Sequence, residues 1–331
     1  MKGRWAYLLL WALLASGSLS AQQLPMTTQY LFNPFALNQA MAGYFNYAEV
    51  FLNYRREWTN IPGGPKTLRI NGFGNIYKEK MWLGGAVYLD KTGALSQLKA
   101  SLSYSYVLET GEGQRIFFGV WGNFFQNSLS LSDMTEIDPN DPLLQGGSAI
   151  NGTSFNAGFG IDYNWQRLNV GFAMPNALSN NGYYNNATKP DFRLQREFLL
   201  HASYLFYLVD HWQLQSVAVF RKTRNMPGNF EISAMAVFMK QAWAGVLYRN
   251  TGALAINIGG YAGYGVALNY SFELGTGGIN KGSGTTHEIT LSYRFGQQNR
   301  NYFENKNGDH FSKSRRYPAY RQKVPHIMDY R

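Results

Sequence analysis

A chain of 331 residues without cysteine cannot be held by disulfides, so its stability must come from a core or from a membrane. Its charge is +10, yet only 15% of residues are charged and 16% are aromatic. Past the N-terminus no window approaches the roughly 18 uninterrupted apolar residues of a spanning helix, which excludes a helical membrane protein.

The chain opens with Lys2 and Arg4, the apolar stretch "WAYLLLWALLASG", and small residues at Leu19–Ser20–Ala21. That order predicts a secretory signal over residues 1–21, cleaved before Gln22. Residues 22–46 follow. Within them "QYLFNPFALNQAMAG" (29–43) is apolar, carries the amides Gln29, Asn33, Asn38 and Gln39, and fits neither a strand nor a long helix.

From residue 47 to 296 the pattern has period two. In "LKASLSYSYVL", Leu98, Leu102, Tyr104 and Leu108 alternate with Lys99, Ser101, Ser103 and Ser105. "YGVALNYSFEL" and "HEITLSYRF" repeat the pattern. One face of such a strand meets apolar surroundings and the other something polar or small. About 14 strands are expected, starting near Tyr47, Thr67, Trp82, Leu95, Arg115, Gly152, Arg167, Glu197, Trp212, Asn229, Ala242, Ala253, Tyr264 and His287. Several are long enough to cross a bilayer at a tilt.

Separators such as "NWQR", "LVDHW" and "RNTGA" are turns, and residues 130–151 and 176–196 are long loops. Alternating short and long connections suit an outer-membrane barrel. Trp58, Trp82, Trp165, Trp212 and Trp243, with Tyr54, Tyr77, Tyr163, Tyr207 and Tyr248, sit near strand ends and are expected to form interfacial girdles. A soluble sandwich or barrel would also explain the alternation, though less well the strand length and outward Tyr and Phe. The fold expected is all-β: a closed transmembrane antiparallel barrel in contact with membrane lipid. An even strand number puts both chain ends on the periplasmic side and the longer loops outside.

The N-terminal blocks also carry a resemblance. Tyr30–Phe32–Asn33–Pro34, Ala42–Gly43, Tyr54–Arg55 with Trp58, and Gly64–Pro65–Lys66–Thr67 occur in the order seen in the PorP/SprF family of Bacteroidetes, outer-membrane proteins of type IX secretion and gliding motility. "GGAVYLDKTGALSQLKASLSYSYVL" and "NVGFAMPNAL" are similar to later blocks, so the likeness spans roughly residues 26–296. Gln39 departs from it, standing where the family usually has Pro. The resemblance implies a non-enzymatic role in exporting or anchoring a surface protein or adhesin with a type IX C-terminal signal. It also implies periplasmic anchoring or motor-linked partners. By analogy with family and fatty-acid-transporter-like barrels, Tyr30, Phe32, Asn33, Pro34, Ala42 and Gly43 would lie in a lumen plug; a periplasmic turn into the first strand is the alternative.

Residues 297–331 form an appendage with eight Lys and Arg against three acids. It lacks apolar periodicity and is expected to be disordered when free. Arg315, Arg316, Tyr317, Tyr320 and Arg321 combine charge with aromatic rings suited to docking a periplasmic protein or peptidoglycan. A periplasmic location disfavours nucleic acid. In the outer loops, Leu143, Leu144, Tyr183 and Tyr184 are candidate contacts for the exported partner. Asp133, Glu136, Asp138 and Asp141 are a weak calcium candidate without EF-hand spacing, and Asp-Pro pairs are ordinary turn formers.

The five His lack metal-ligand spacing, no catalytic arrangement can be assembled, and neither an enzyme nor a cofactor is expected. Inward positions read mostly as Ser, Gly, Asn and Ala, which disfavours a selective ion pore. A transport barrel for hydrophobic small molecules and a general porin remain the alternatives to a secretion component.

Overall fold

Period-two sequence becomes a ring. The computed structural model describes residues 27–130, 149–184, 192–208, 211–277 and 281–296. Its strands are β1 (Glu49–Arg56), β2 (Lys66–Tyr77), β3 (Met81–Thr92), β4 (Leu95–Gly111), β5 (Gln114–Ser130), β6 (Ala149–Trp165), β7 (Leu168–Met174), β8 (Asn181–Tyr184), β9 (Phe192–Arg193), β10 (Glu197–Tyr207), β11 (Trp212–Thr223), β12 (Asn229–Phe238), β13 (Ala242–Arg249), β14 (Ala253–Gly263), β15 (Val266–Gly275) and β16 (Thr285–Arg294). Fourteen of them, all but β8 and β9, pair antiparallel with their neighbours and close through β1–β16. Closure pairs every strand of the ring with a neighbour on both sides, as hydrocarbon demands. The number and starting points of these strands agree with the periodicity of the sequence.

The connections divide by side. Those at 78–80, 112–113, 166–167, 208–211, 239–241 and 264–265 share the side where β1 begins and β16 ends. All are tight, and several use left-handed backbone, as at Met239–Lys240 and Tyr264–Gly265. The other side carries three short connections, 93–94, 224–228 and 250–252, and the four longer ones, 57–65, 131–148, 175–196 and 276–284. Within 175–196, expected as plain loop, β8 and β9 form a small hairpin laid against β6. Its few backbone bonds leave no periodic signature in so short a segment.

Outward positions are apolar: Leu102, Val120, Phe155, Ile256 and Ile258 all face away from the interior. Three expected girdle residues do not, one being Tyr207, which stands on the inward face opposite the buried Gln213. Trp82 and Trp243 are fully buried inside the ring, while Trp165 and Trp212 are exposed on its outer side. Nearness to a strand end does not fix the face; alternation does, and Trp82 shares its face with Gly84 and Ala86, Trp243 with Gly245 and Arg249.

Candidate functional site

The barrel's interior is occupied by its own chain. Residues 27–46 run inside the wall, and Tyr30, Leu31, Phe32, Phe35, Leu37, Ala40, Met41 and Ala42 are buried there. Two short 3-10 turns, Pro34–Ala36 and Gln39–Met41, shape the segment. Each is capped by an asparagine that works in two directions. Asn33 Oδ1 accepts from the Ala36 amide and its Nδ2 donates to Asn71 at 3.0 Å. Asn38 Oδ1 accepts from the Ala40 amide at 3.0 Å while its Nδ2 donates to the Ile161 carbonyl at 3.3 Å. A primary amide has donors and acceptors for both tasks, so the cap and the wall contact cost only one side chain.

The wall is carved to receive these turns. A methyl group on Gly84 would sit 2.7 Å from the Phe35 ring, and one on Gly119 2.6 Å from Ala40 Cα. One on Gly160 would collide with Asn38 Oδ1. Aromatic packing fills the remainder. Phe32 stacks on Trp243 at 5.3 Å and meets Phe51 edge-on at 5.7 Å. Phe35 lies 5.2 Å from Phe73.

Of the residues expected in the lumen, Tyr30, Phe32, Asn33, Ala42 and Gly43 are buried and Pro34 is half-buried. Gly43 has φ +76°, and a side chain there would strike Trp82. Tyr183 and Tyr184 fall in β8, paired through the backbone with Thr153 and Gly152. Leu143, Leu144, the acidic set Asp133, Glu136, Asp138 and Asp141, and the tail residues Arg315, Arg316, Tyr317, Tyr320 and Arg321 lie outside the described residues, as does the segment 1–21. Among the described residues no group of His, Asp and Glu is placed to hold a metal.

One feature of the interior contradicts the expected run of Ser, Gly, Asn and Ala. A chain of buried charges crosses the wall near the loop-bearing side. Glu288 accepts from Arg55 at 3.0 Å; Arg55 also reaches Glu57 at 2.9 Å and Glu273 at 3.2 Å. Glu273 lies 3.4 Å from Arg249, which contacts Glu231 at 3.3 Å; Glu231 is 3.6 Å from Arg221. The sequence signal was present, since each of these residues falls on the inward parity of its strand, but isolated charges among small polar residues do not announce that they will meet across strands.

This belt also grips the inner segment. Glu288 accepts from the Thr28 amide at 3.0 Å, from Thr28 Oγ1 at 2.7 Å and from Thr27 Oγ1. Gln29 Nε2 donates to the Glu288 carbonyl at 3.0 Å. Near the opposite rim Arg115 donates to the Tyr44 carbonyl at 3.1 Å, and Arg294 pairs with Glu49 at 3.0 Å. The segment is therefore fastened at both ends and fitted in the middle.

A family model described as type IX secretion system membrane protein PorP/SprF matches residues 19–293. No curated protein matches the chain. Among solved structures, the CymD monoaromatic hydrocarbon channel is similar at 12% identity, with a TM-score of 0.50 over 84% of this chain and 94% of that one. The Ralstonia pickettii toluene transporter TbuX is similar at 11% identity and TM-score 0.49, over 79% of this chain and 93% of its own. A Pseudomonas aeruginosa FadL homologue is similar at 11% identity and TM-score 0.48, over 82% and 95%. The likeness to CymD is of fold alone.

Proposed function

Because the chain belongs to the PorP/SprF family of type IX secretion membrane proteins and folds as an outer-membrane β-barrel, we propose that it is a plugged assembly and anchoring component and not a conduit. The observation that carries this reading is the occupied lumen: residues 27–46 are held by hydrogen bonds to β2, β4, β5, β6, β7, β12, β15 and β16. A lumen held so widely by its own chain argues against the open aqueous path that a porin needs.

In this reading the side that bears only tight turns faces the periplasm and the side that bears the longer connections faces outward, the asymmetry usual in outer-membrane barrels. Loops 130–151 and 176–196, with Leu143, Leu144, Tyr183 and Tyr184, engage an exported surface protein or adhesin carrying a type IX C-terminal signal. The basic tail, through Arg315, Arg316, Tyr317, Tyr320 and Arg321, docks an inner partner that anchors to peptidoglycan or a motor. Its charge favours an acidic surface and makes the contact sensitive to salt.

Two measurements test the proposal. In planar bilayers the mature protein is expected to show no steady conductance; ohmic channels of porin size would overturn it. Purification from outer membranes with and without residues 297–331 is expected to lose a periplasmic partner in the truncated form. A hydrophobic-solute transporter would lose none.

A further inference from the structure

Beside the charged belt, on the adjoining strands of the wall, lies a second, differently built group. Phe125, Lys99, Tyr88 and Arg69 stand directly opposite one another on β5, β4, β3 and β2. Arg69 and Lys99 are 3% and 6% exposed, and their cationic centres each lie 5.7 Å from the ring of Tyr88. Lys99 is also 5.2 Å from the Phe125 ring. Neither cation forms an ion pair among the described residues. The inward carboxylate nearest in sequence to Tyr88, Asp90, is engaged by Thr67 at 2.6 Å and by Thr92 at 3.3 Å. Glu197 acts on Lys99 only at longer range.

The unmet hydrogen-bonding capacity on β2 is all of the donor kind, whereas Gln39 Oε1 in the inner segment below is an unmet acceptor. Among the described residues Arg69 Nε and Nη2 have no partner, and neither has Nδ2 of Asn71, the next inward residue on β2. The Asn71 amide is oriented by its oxygen, which accepts from Asn33. Three buried donors and two cations with no acceptor among them describe a site short of negative charge. Burying a cation without a partner is costly, and ring faces recover only part of that cost. The floor of the site is the inner segment, where Asn33 meets Asn71 and Gln39 meets Ser101 on β4, the next inward residue after Lys99. It therefore lies on the loop-bearing side of the filling.

We propose that Arg69, Lys99 and Asn71 form a lumenal binding site for an oxyanion, a carboxylate or phosphate group of a soluble ligand or polypeptide entering from the loop side. Lipid headgroups are excluded as the source because the row faces inward. Arg69 supplies the planar donor pair and Lys99 the point charge, a combination suited to either group. The inference does not depend on the anchoring role.

Calorimetric titration of the detergent-solubilised mature protein with inorganic phosphate and, separately, acetate at matched ionic strength tests it. One saturable site is expected for at least one anion, weakened roughly tenfold or more in Arg69→Gln and in Lys99→Gln, since each removes a charged hydrogen bond. Lys281→Gln, a cation on the same side but outside the row, is expected to bind as the parent does. In melting experiments Arg69→Leu is expected to raise the melting temperature without anion and to abolish the anion-dependent rise, which a merely structural arginine would not do. Absence of saturable heat with both anions, meaning that water alone meets these donors, overturns the proposal. So does binding that survives both Gln variants.

Discussion

Arg55 and Glu288 face each other across the β1–β16 seam and are joined at 3.0 Å inside the barrel. The same carboxylate that closes the ring's first and last strands holds Thr27 and Thr28 of the inner segment. Closure of the wall and retention of its filling thus share one side chain. Replacing Glu288 by Ala strands Arg55 in the interior beside its remaining partners, and a loss of about 3–5 kcal/mol is expected. Denaturant titration with tryptophan fluorescence measures it. Thr28→Val combined with Glu288→Ala is expected to be clearly non-additive, because both act on the same contact.

Glycine positions in the wall offer a sharper test of the fit. Gly119→Val would press on Ala40, whereas Gly122, on the opposite face of the same strand, has nothing within 4 Å. Limited proteolysis in detergent is expected to release N-terminal fragments from the Gly119→Val protein and to leave Gly122→Val as resistant as the parent. Equal resistance of both variants would mean that the segment is not seated against β5.

Tryptophans distinguish inside from outside. Trp243 stacks on Phe32 and donates to Asn269 at 2.8 Å, whereas Trp212 is exposed on the outer wall. Trp243→Ala is expected to cost about 3–5 kcal/mol, the range for a buried large-to-small change. Trp212→Ala should cost less than half as much in detergent. Quenching by brominated lipid is expected to dim Trp212 and Trp165 and to spare Trp82 and Trp243.

Alkaline pH should loosen the inner segment. Burial pushes the Tyr44 phenol from its ordinary value of 10.0 up to about 12, only partly offset by Arg115. The folded protein therefore retains a proton that the unfolded chain releases above pH 10, so stability falls as pH rises from about 10 towards 12. Tyr44→Phe, which cannot ionise, is expected to flatten that part of the pH–stability curve.

Strand positions were legible because alternation over eight or more residues has no other common cause, and the ring follows once such strands must hide their edges from lipid. Each misreading has its own physical root. Trp82 and Trp243 were assigned by position along the strand when their parity with Gly84, Ala86 and Arg249 placed them inside. The belt from Arg221 to Glu288 was missed because the register that brings Arg55 opposite Glu288 joins residues far apart in the chain. The β8–β9 hairpin pairs too few residues to mark the sequence at all.

The inner segment also constrains the order in which the protein can be made. Its residues precede every strand, yet they end enclosed by a ring whose final stave, β16, is made after all the others and must join β1. Once that seam is zipped, a stretch bearing Phe32, Phe35 and Tyr44 would have to thread lengthwise past its own wall. The simplest route is to gather the staves around the segment as a cooper builds a cask around its contents. Biogenesis would then finish at Arg55 and Glu288.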